Sequence, residues 1–317
     1  MIVTHGLTKH FGKTLAVDDL SFTVTPGAVT GFLGPNGSGK STTLRMIVGL
    51  DHPDGGRATV NGVPYAQLAW PLREVGTLLD AKAFHPGRSG RDHLRYMATT
   101  NDVPRARVDE VLDIVGLTEV AGRRSGKYSL GMAQRLGIAC ALLGDPGILL
   151  FDEPVNGLDP EGIRWARHLL RRLAAEGRTV LVSSHLINEM ALTAERLVVI
   201  GRGKLIAETS VQEFTAQVQG TSVRIVTPTP QRFVSELSRA GARPSVADDG
   251  ALVVTGMEAS EVGELAAAAA LTVHELTPLR GSLEDAFMEL TSDAVEYRSS
   301  PSPGGDRRPR PIPVLSR

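Results

Sequence analysis

Short apolar runs stand out along the first two-thirds of the chain, at 28–33, 74–79, 148–151, 179–183 and 197–200, each set between polar or turn-rich stretches. None exceeds six residues. That is short for a helix, and each reads as a buried strand. Between them the spacing shifts to the helical period, over 41–50, 92–99, 108–115 and 161–176. Within 125–144, Leu136, Ala139, Cys140 and Leu143 fall at i, i+3, i+4 and i+7, and Ser129 stands in front as a natural N-cap. Residues 2–4 and 21–25 have strand composition, closed by the turn Pro26-Gly27. A short strand at 57–60 lies between Asp54-Gly55-Gly56 and Asn61-Gly62. Residues 197–200 and 204–208 form a hairpin around Gly201-Arg202-Gly203. Strand alternating with helix predicts the α/β class.

A different rhythm follows the expected helix 211–219. Strands are expected at 223–226, 251–254 and 273–276, and helices at 230–240, 260–271 and 282–290, the last capped by Ser282. This predicts a small accessory α+β domain over 213–292, after a first domain over 1–212. Residues 293–317 hold five prolines and few large apolar residues, and read as a disordered Pro/Arg-rich tail.

The first apolar run leads into Gly34-Pro35-Asn36-Gly37-Ser38-Gly39-Lys40-Ser41-Thr42. Strand, glycine-rich loop and helix in this order match the phosphate-binding pattern G-x-x-x-x-G-K-[ST]. Glycines let backbone N–H groups turn inward around a β-phosphate, and the helix N-terminus adds partial positive charge. Lys40 reaches the β- and γ-phosphates, and the Ser41 hydroxyl offers an oxygen to Mg²⁺. The run 148–151 ends in Asp152-Glu153. Unpaired carboxylates at the end of a buried strand are costly, and Mg²⁺ beside a phosphate loop gives them a reason. Asp152 would join the Mg²⁺ shell and Glu153 would orient or deprotonate the attacking water. His185 follows the strand 179–183 and either hydrogen-bonds a γ-phosphate or caps the next helix. Phe11 is equally an adenine-stacking platform or a minor core residue. Ser129 with Gly131 at a helix start is either a second anion site or an ordinary cap.

Composition narrows the partners. The 317 residues carry a net charge of −1, with 42% hydrophobic and 22% charged residues. No global field draws the chain to nucleic acid. The single cysteine, Cys140, permits no intrachain disulfide, fits a reducing compartment and reads as a core residue. No run approaches 18 apolar residues and no charged-then-apolar leader opens the sequence, so neither a membrane span nor a secretory signal is expected. His85 and His93 are isolated and fit no metal-ligand spacing.

Together the loop 34–41, Ser129-Leu130-Gly131, the run 149–153, Gly157-Leu158-Asp159 and His185 resemble the ATP-binding subunits of ABC transporters, over about 1–212. The resemblance implies a P-loop NTPase (RecA-like) core, an antiparallel β subdomain and a helical subdomain over 86–143 that docks a membrane permease. It implies ATP and Mg²⁺ as ligands, Phe11 stacking on adenine, Glu153 as catalytic base and His185 on the γ-phosphate. Ser129 and Gly131, with Asp159 nearby, would meet ATP held by a second copy of the chain. Two departures stand out. The signature reads Tyr128-Ser129-Leu130-Gly131-Met132 rather than Leu-Ser-Gly-Gly-Gln, and Asp80 occupies the position of a Mg²⁺-linked Gln. Asp80 is shorter and charged, and would reach Mg²⁺ through a water.

Leu-Leu-Asp-Ala at 78–81, His-Pro-Gly-Arg at 85–88 and the C-terminal extension look most like ATPases of ABC-2-type drug exporters of the daunorubicin-resistance type. That implies an ATPase at the cytoplasmic face of the membrane, powering export of a small molecule. The alternatives are a soluble ABC ATPase acting on ribosomes or DNA, and export of lipid or polysaccharide.

Overall fold

The computed structural model describes residues 1–218, 222–247, 249–279 and 283–291. The Ser282 cap and the tail 293–317 lie outside the described residues. Among these residues the strands form three sheets.

The first sheet holds β1 (Ile2–Phe11), β2 (Thr14–Val24) and β4 (Gly55–Val60), antiparallel in the order β2-β1-β4. The second holds β3 (Val29–Leu33), β5 (Val75–Leu78), β6 (Ile148–Asp152), β7 (Thr179–Ser184), β8 (Arg196–Gly201) and β9 (Lys204–Ser210). Its order is β5-β6-β7-β3-β8-β9, parallel except for β9, which runs antiparallel to β8.

The continuous apolar runs follow from burial on both faces of this sheet. Alternate residues sort to opposite sides. Leu149, Phe151, Val180, Val182, Leu197 and Val199 enter one core. Ile148, Leu150, Leu181, Val198 and Ile200 enter the other, with Ile2, Leu20 and Phe22 of the first sheet. Helix α1 (Lys40–Ile47) contributes Leu44 and Ile47 to that second core.

The short α2 (Pro71–Glu74) leads into β5. Helices α3 (Gly90–Thr100), α4 (Ala106–Ile114) and α5 (Leu130–Leu142) form a helical layer that joins the first core through Leu94, Val111, Leu112 and Leu136. Helix α6 (Pro160–Ala175) starts on Asp159, whose side chain accepts from the Gly162 N–H at 2.8 Å. Helix α7 (Ile187–Ala191) follows β7.

Helix α8 (Val211–Val218) leads to the third sheet: β10 (Ser222–Val226), β11 (Arg243–Val246), β12 (Leu252–Thr255) and β13 (Glu275–Leu279), in the order β11-β12-β10-β13, all antiparallel. Helices α9 (Pro230–Arg239) and α10 (Ala259–Ala268) cover it, with Phe233, Leu237 and Val262 on Val223, Ile225, Leu252 and Val254. This is a split βαβ arrangement.

Two expectations are corrected here. Strand β11 was not foreseen, because Arg-Pro-Ser-Val is an exposed edge without an apolar alternation. The strand expected at 273–276 lies two to three residues later, and its exposed outer edge accommodates Pro278. Helix α11 (Leu283–Thr291) then leaves this sheet and packs on α7 and α8. Phe287 joins Ile187, Met190 and Phe214 in the first core.

Candidate active site

The carboxyl ends of β3, β6 and β7 lie side by side, since β7 pairs with both β3 and β6. The crevice beyond parallel strand ends is where α/β sheets bind ligands. There a cavity of about 250 Å³ is lined by Ala16, Asn36, Gly37, Gly39, Lys40, Ser41, Thr42, Asp152 and Glu153. The loop and the two carboxylates, 111 residues apart from Ser41 to Asp152 (152 − 41), therefore face one space.

Gly39 caps α1 at φ 100°, and a Cβ there would fall 2.5 Å from the Ala16 carbonyl oxygen. Only glycine satisfies both constraints. Lys40 is buried and donates to the carbonyls of Gly34, at 2.6 Å, and Pro35, at 3.1 Å. Burial lowers its pKa, opposed by the nearby charges of Glu153 and Asp152. The Ser38 hydroxyl is buried and has no hydrogen-bond partner among the described residues.

Glu153 is the most constrained residue of the site. Its φ is 49°, in the left-handed region that residues with a side chain rarely enter. Its N–H donates to Ser183 Oγ at 3.0 Å, and its carbonyl accepts from Gln134 Nε2 at 3.0 Å. Oε1 lies 2.9 Å from His185 Nδ1, while Oε2 is buried without a partner among the described residues. The Ser183 hydroxyl donates in turn to Asp152 Oδ1. Parallel pairing of Asp152 with Ser183 sets that contact.

The expectation that His185 caps the next helix is not met. Leu186 occupies the cap position of α7, and His185 turns to Glu153. Phe11 is 51% exposed at the end of β1, which removes the core reading, and Lys9 Nζ lies 5.6 Å from its ring centroid. Ser129 caps α5, accepting from the Met132 N–H at 3.2 Å. Ser129, Gly131 and Asp159 do not line the 250 Å³ cavity.

Asp80 does not line that cavity either. It lines a second cavity of about 410 Å³ between the sheet and the helical layer, and accepts from the Lys82 N–H at 2.8 Å. Cys140 lines that same cavity, where burial pushes its thiol up to about 12. That agrees with a packing role and not with a nucleophile.

Sequence reasoning missed Ser183 and Gln134. The available signal was weak: one hydroxyl in an apolar strand, and one amide on the buried face of α5 formed by Gln134, Gly137, Ile138 and Ala141. Buried polar groups find partners, but only the fold shows which.

The family model described as "ABC transporter" matches residues 17–156, and one described as a domain of unknown function (DUF8746) matches 221–284. The uncharacterized ABC transporter ATP-binding protein YhcH of Bacillus subtilis (strain 168) is 36% identical over 301 residues, covering 92% of this chain and 95% of that protein. The bacitracin transport ATP-binding protein BcrA of Bacillus licheniformis is 40% identical over 211 residues, 66% of this chain and 69% of its own. Among solved structures, the ATP-binding cassette MJ0796, a dimer in a post-hydrolysis state bound to ADP and Pi, superposes with a TM-score of 0.61 at 26% identity. The match covers 67% of this chain and 99% of that one. The chain belongs to the ATP-binding subunits of ABC transporters. It is an ATP-binding ATPase of a family whose cassettes dimerise and act with membrane subunits.

Proposed function

We propose that this chain powers export of a small, antibiotic-like molecule through a separate permease of the ABC-2 type. The observation that carries this reading is the shared cavity of Lys40, Ser41, Asp152 and Glu153, joined to likeness with a bacitracin transport ATPase along 66% of the chain. Lys40 and the loop N–H groups bind the phosphates, and the exposed Phe11 stacks on the adenine. The Ser41 hydroxyl and the Asp152 carboxylate are hard oxygen donors on one cavity, a set that fits Mg²⁺. Mg²⁺ held by these oxygens would supply charge neutralisation for the bound phosphates. Glu153 takes a proton from the attacking water, and His185, held against it, contacts the γ-phosphate.

Two copies facing head to tail place Ser129 and Gly131 of each on ATP held by the other, with Asp159 at that interface. The sequence divides the chain at 212/213, but Phe214 of α8 and Phe287 of α11 lie in the first core, so we assign β10–β13 with α9 and α10 to an accessory unit and count α8 and α11 with the ATPase unit. Among the described residues no helix is long and apolar enough to cross a membrane. Attachment to the cytoplasmic face therefore runs through the permease.

The 410 Å³ cleft is its docking site. Leu50, Leu79, Phe84 and Met97 give it apolar walls, while Asp80 and His93 supply polar points. Burial, with Arg88 nearby, holds the His93 imidazole below its ordinary pKa, and its Nδ1 has no partner among the described residues. Leu50 is 59% exposed at this cleft, so Leu50→Asp spares the fold. The expected result is release of the full-length chain from washed native membranes, with ATP affinity unchanged. Retention on the membrane at the wild-type level would contradict the docking assignment.

A further inference from the structure

Glu153 sits in a backbone conformation that persists only where its surroundings over-determine it. The grips on it come from two directions. Ser183 and His185 belong to β7 and the residue just after it, in the same sheet as the phosphate loop. Gln134 belongs to α5 of the helical layer. It is 3% exposed, and its amide donates to the Glu153 carbonyl at 3.0 Å.

The same helix begins at Ser129 and Leu130, both exposed. A second contact ties that beginning to the residues after Glu153. Gly157, at φ 76°, a conformation that favours glycine, packs against Leu130, whose Cδ2 would lie 2.2 Å from a Cβ built there. One rigid helix therefore presents Ser129 outward and grips the Glu153 peptide inward, five residues further along (134 − 129).

We propose that Gln134 is a positioning residue for Glu153, through which the helix that meets the opposing subunit's nucleotide sets the aim of the carboxylate in its own subunit. This rests on reading Glu153 as the base. A carbonyl held by Gln134 and an N–H held by Ser183 fix the two peptide planes flanking the Glu153 Cα. They thereby fix the direction in which its side chain leaves the backbone. A shift of α5 on dimer closure moves the Gln134 amide and turns that direction. Hydrolysis in one site becomes sensitive to whether the other nucleotide has engaged the first turn of α5.

The test is a double-mutant cycle on the full-length chain, reading single-turnover ATP hydrolysis and ATP affinity for wild type, Gln134→Met, Glu153→Gln and the double variant. Met matches Gln in length and lacks the donor. Gln134→Met is expected to slow hydrolysis roughly 10- to 100-fold, as misplacement of a catalytic group does, with ATP affinity within about twofold of wild type. The double variant is expected to be no slower than Glu153→Gln alone, because both changes act through one carboxylate. A further slowing of the double variant by the full Gln134→Met factor, or an unaltered single-variant rate, overturns the proposal. If Gln134→Met does not fold, as judged by circular dichroism, Gln134→Asn takes its place: one methylene shorter, it cannot span the gap and carries the same expectation. Wild-type turnover in Glu153→Gln would instead overturn the reading of Glu153 itself.

Discussion

Glu153→Gln is expected to abolish nearly all ATP turnover while leaving ATP binding intact. The substitution keeps the size of the side chain and its place beside His185. It removes the carboxylate we propose as the acceptor of a proton from water. Loss of a general base costs roughly 10²- to 10⁴-fold in rate. Because ATP still binds and the head-to-tail contact still forms, the variant is expected to accumulate as an ATP-dependent dimer. Sedimentation velocity with and without ATP separates the two states, and a phosphate-release assay reads turnover. Wild-type turnover, or a variant that stays monomeric with ATP, would contradict the assignment. Glu153 Oε2 is buried and has no hydrogen-bond partner among the described residues. Every other polar atom of Glu153 with a described partner is engaged in holding it.

Lys40→Met is expected to fail one step earlier, at binding. Charge-assisted hydrogen bonds contribute about 1.5–3 kcal/mol each. A lysine spanning two phosphates therefore accounts for roughly 10²-fold in affinity, taking two such bonds at the lower end of that range. Isothermal titration with ATP reads this directly. The fold itself should survive, since Met occupies the same buried channel and burial already disfavours the Lys40 charge there. Affinity within a fewfold of wild type would show that the loop amides alone bind the nucleotide. Lys40→Met monomeric with ATP and Glu153→Gln dimeric with ATP would together divide binding from chemistry across the one cavity.

Much of this site was readable in advance, for a physical reason. Strands buried on both faces of a parallel sheet are written as continuous apolar runs, so β3, β6, β7 and β8 announced themselves. Residues at their carboxyl ends then had to face a common crevice, which is how Lys40 and Glu153 could be paired across more than a hundred positions. What resisted reading depends on contacts between elements. Gln134 and Ser183 are single polar residues on buried faces, and nothing local distinguishes them from tolerated substitutions. Asp80 is read beside Mg²⁺ from its position in a motif, and among the described residues it lines the 410 Å³ cavity and not the 250 Å³ one. In the accessory unit, β11 lies at a sheet edge where Arg243 and Pro244 leave no apolar alternation. The packing of α11 on α7 depends on the whole domain between them, and no window of sequence displays it.

The most direct test of the whole account uses the Glu153→Gln chain itself. Tagged and expressed in its native host, it is extracted from membranes in mild detergent with Mg-ATP, and its companions are identified by mass spectrometry. The account predicts one polytopic membrane protein, present one-to-one with the tagged chain and lost when Leu50→Asp is added. Ribosomal proteins or DNA in place of any membrane protein would contradict it, and would leave the cleft beside Asp80 and His93 without its partner.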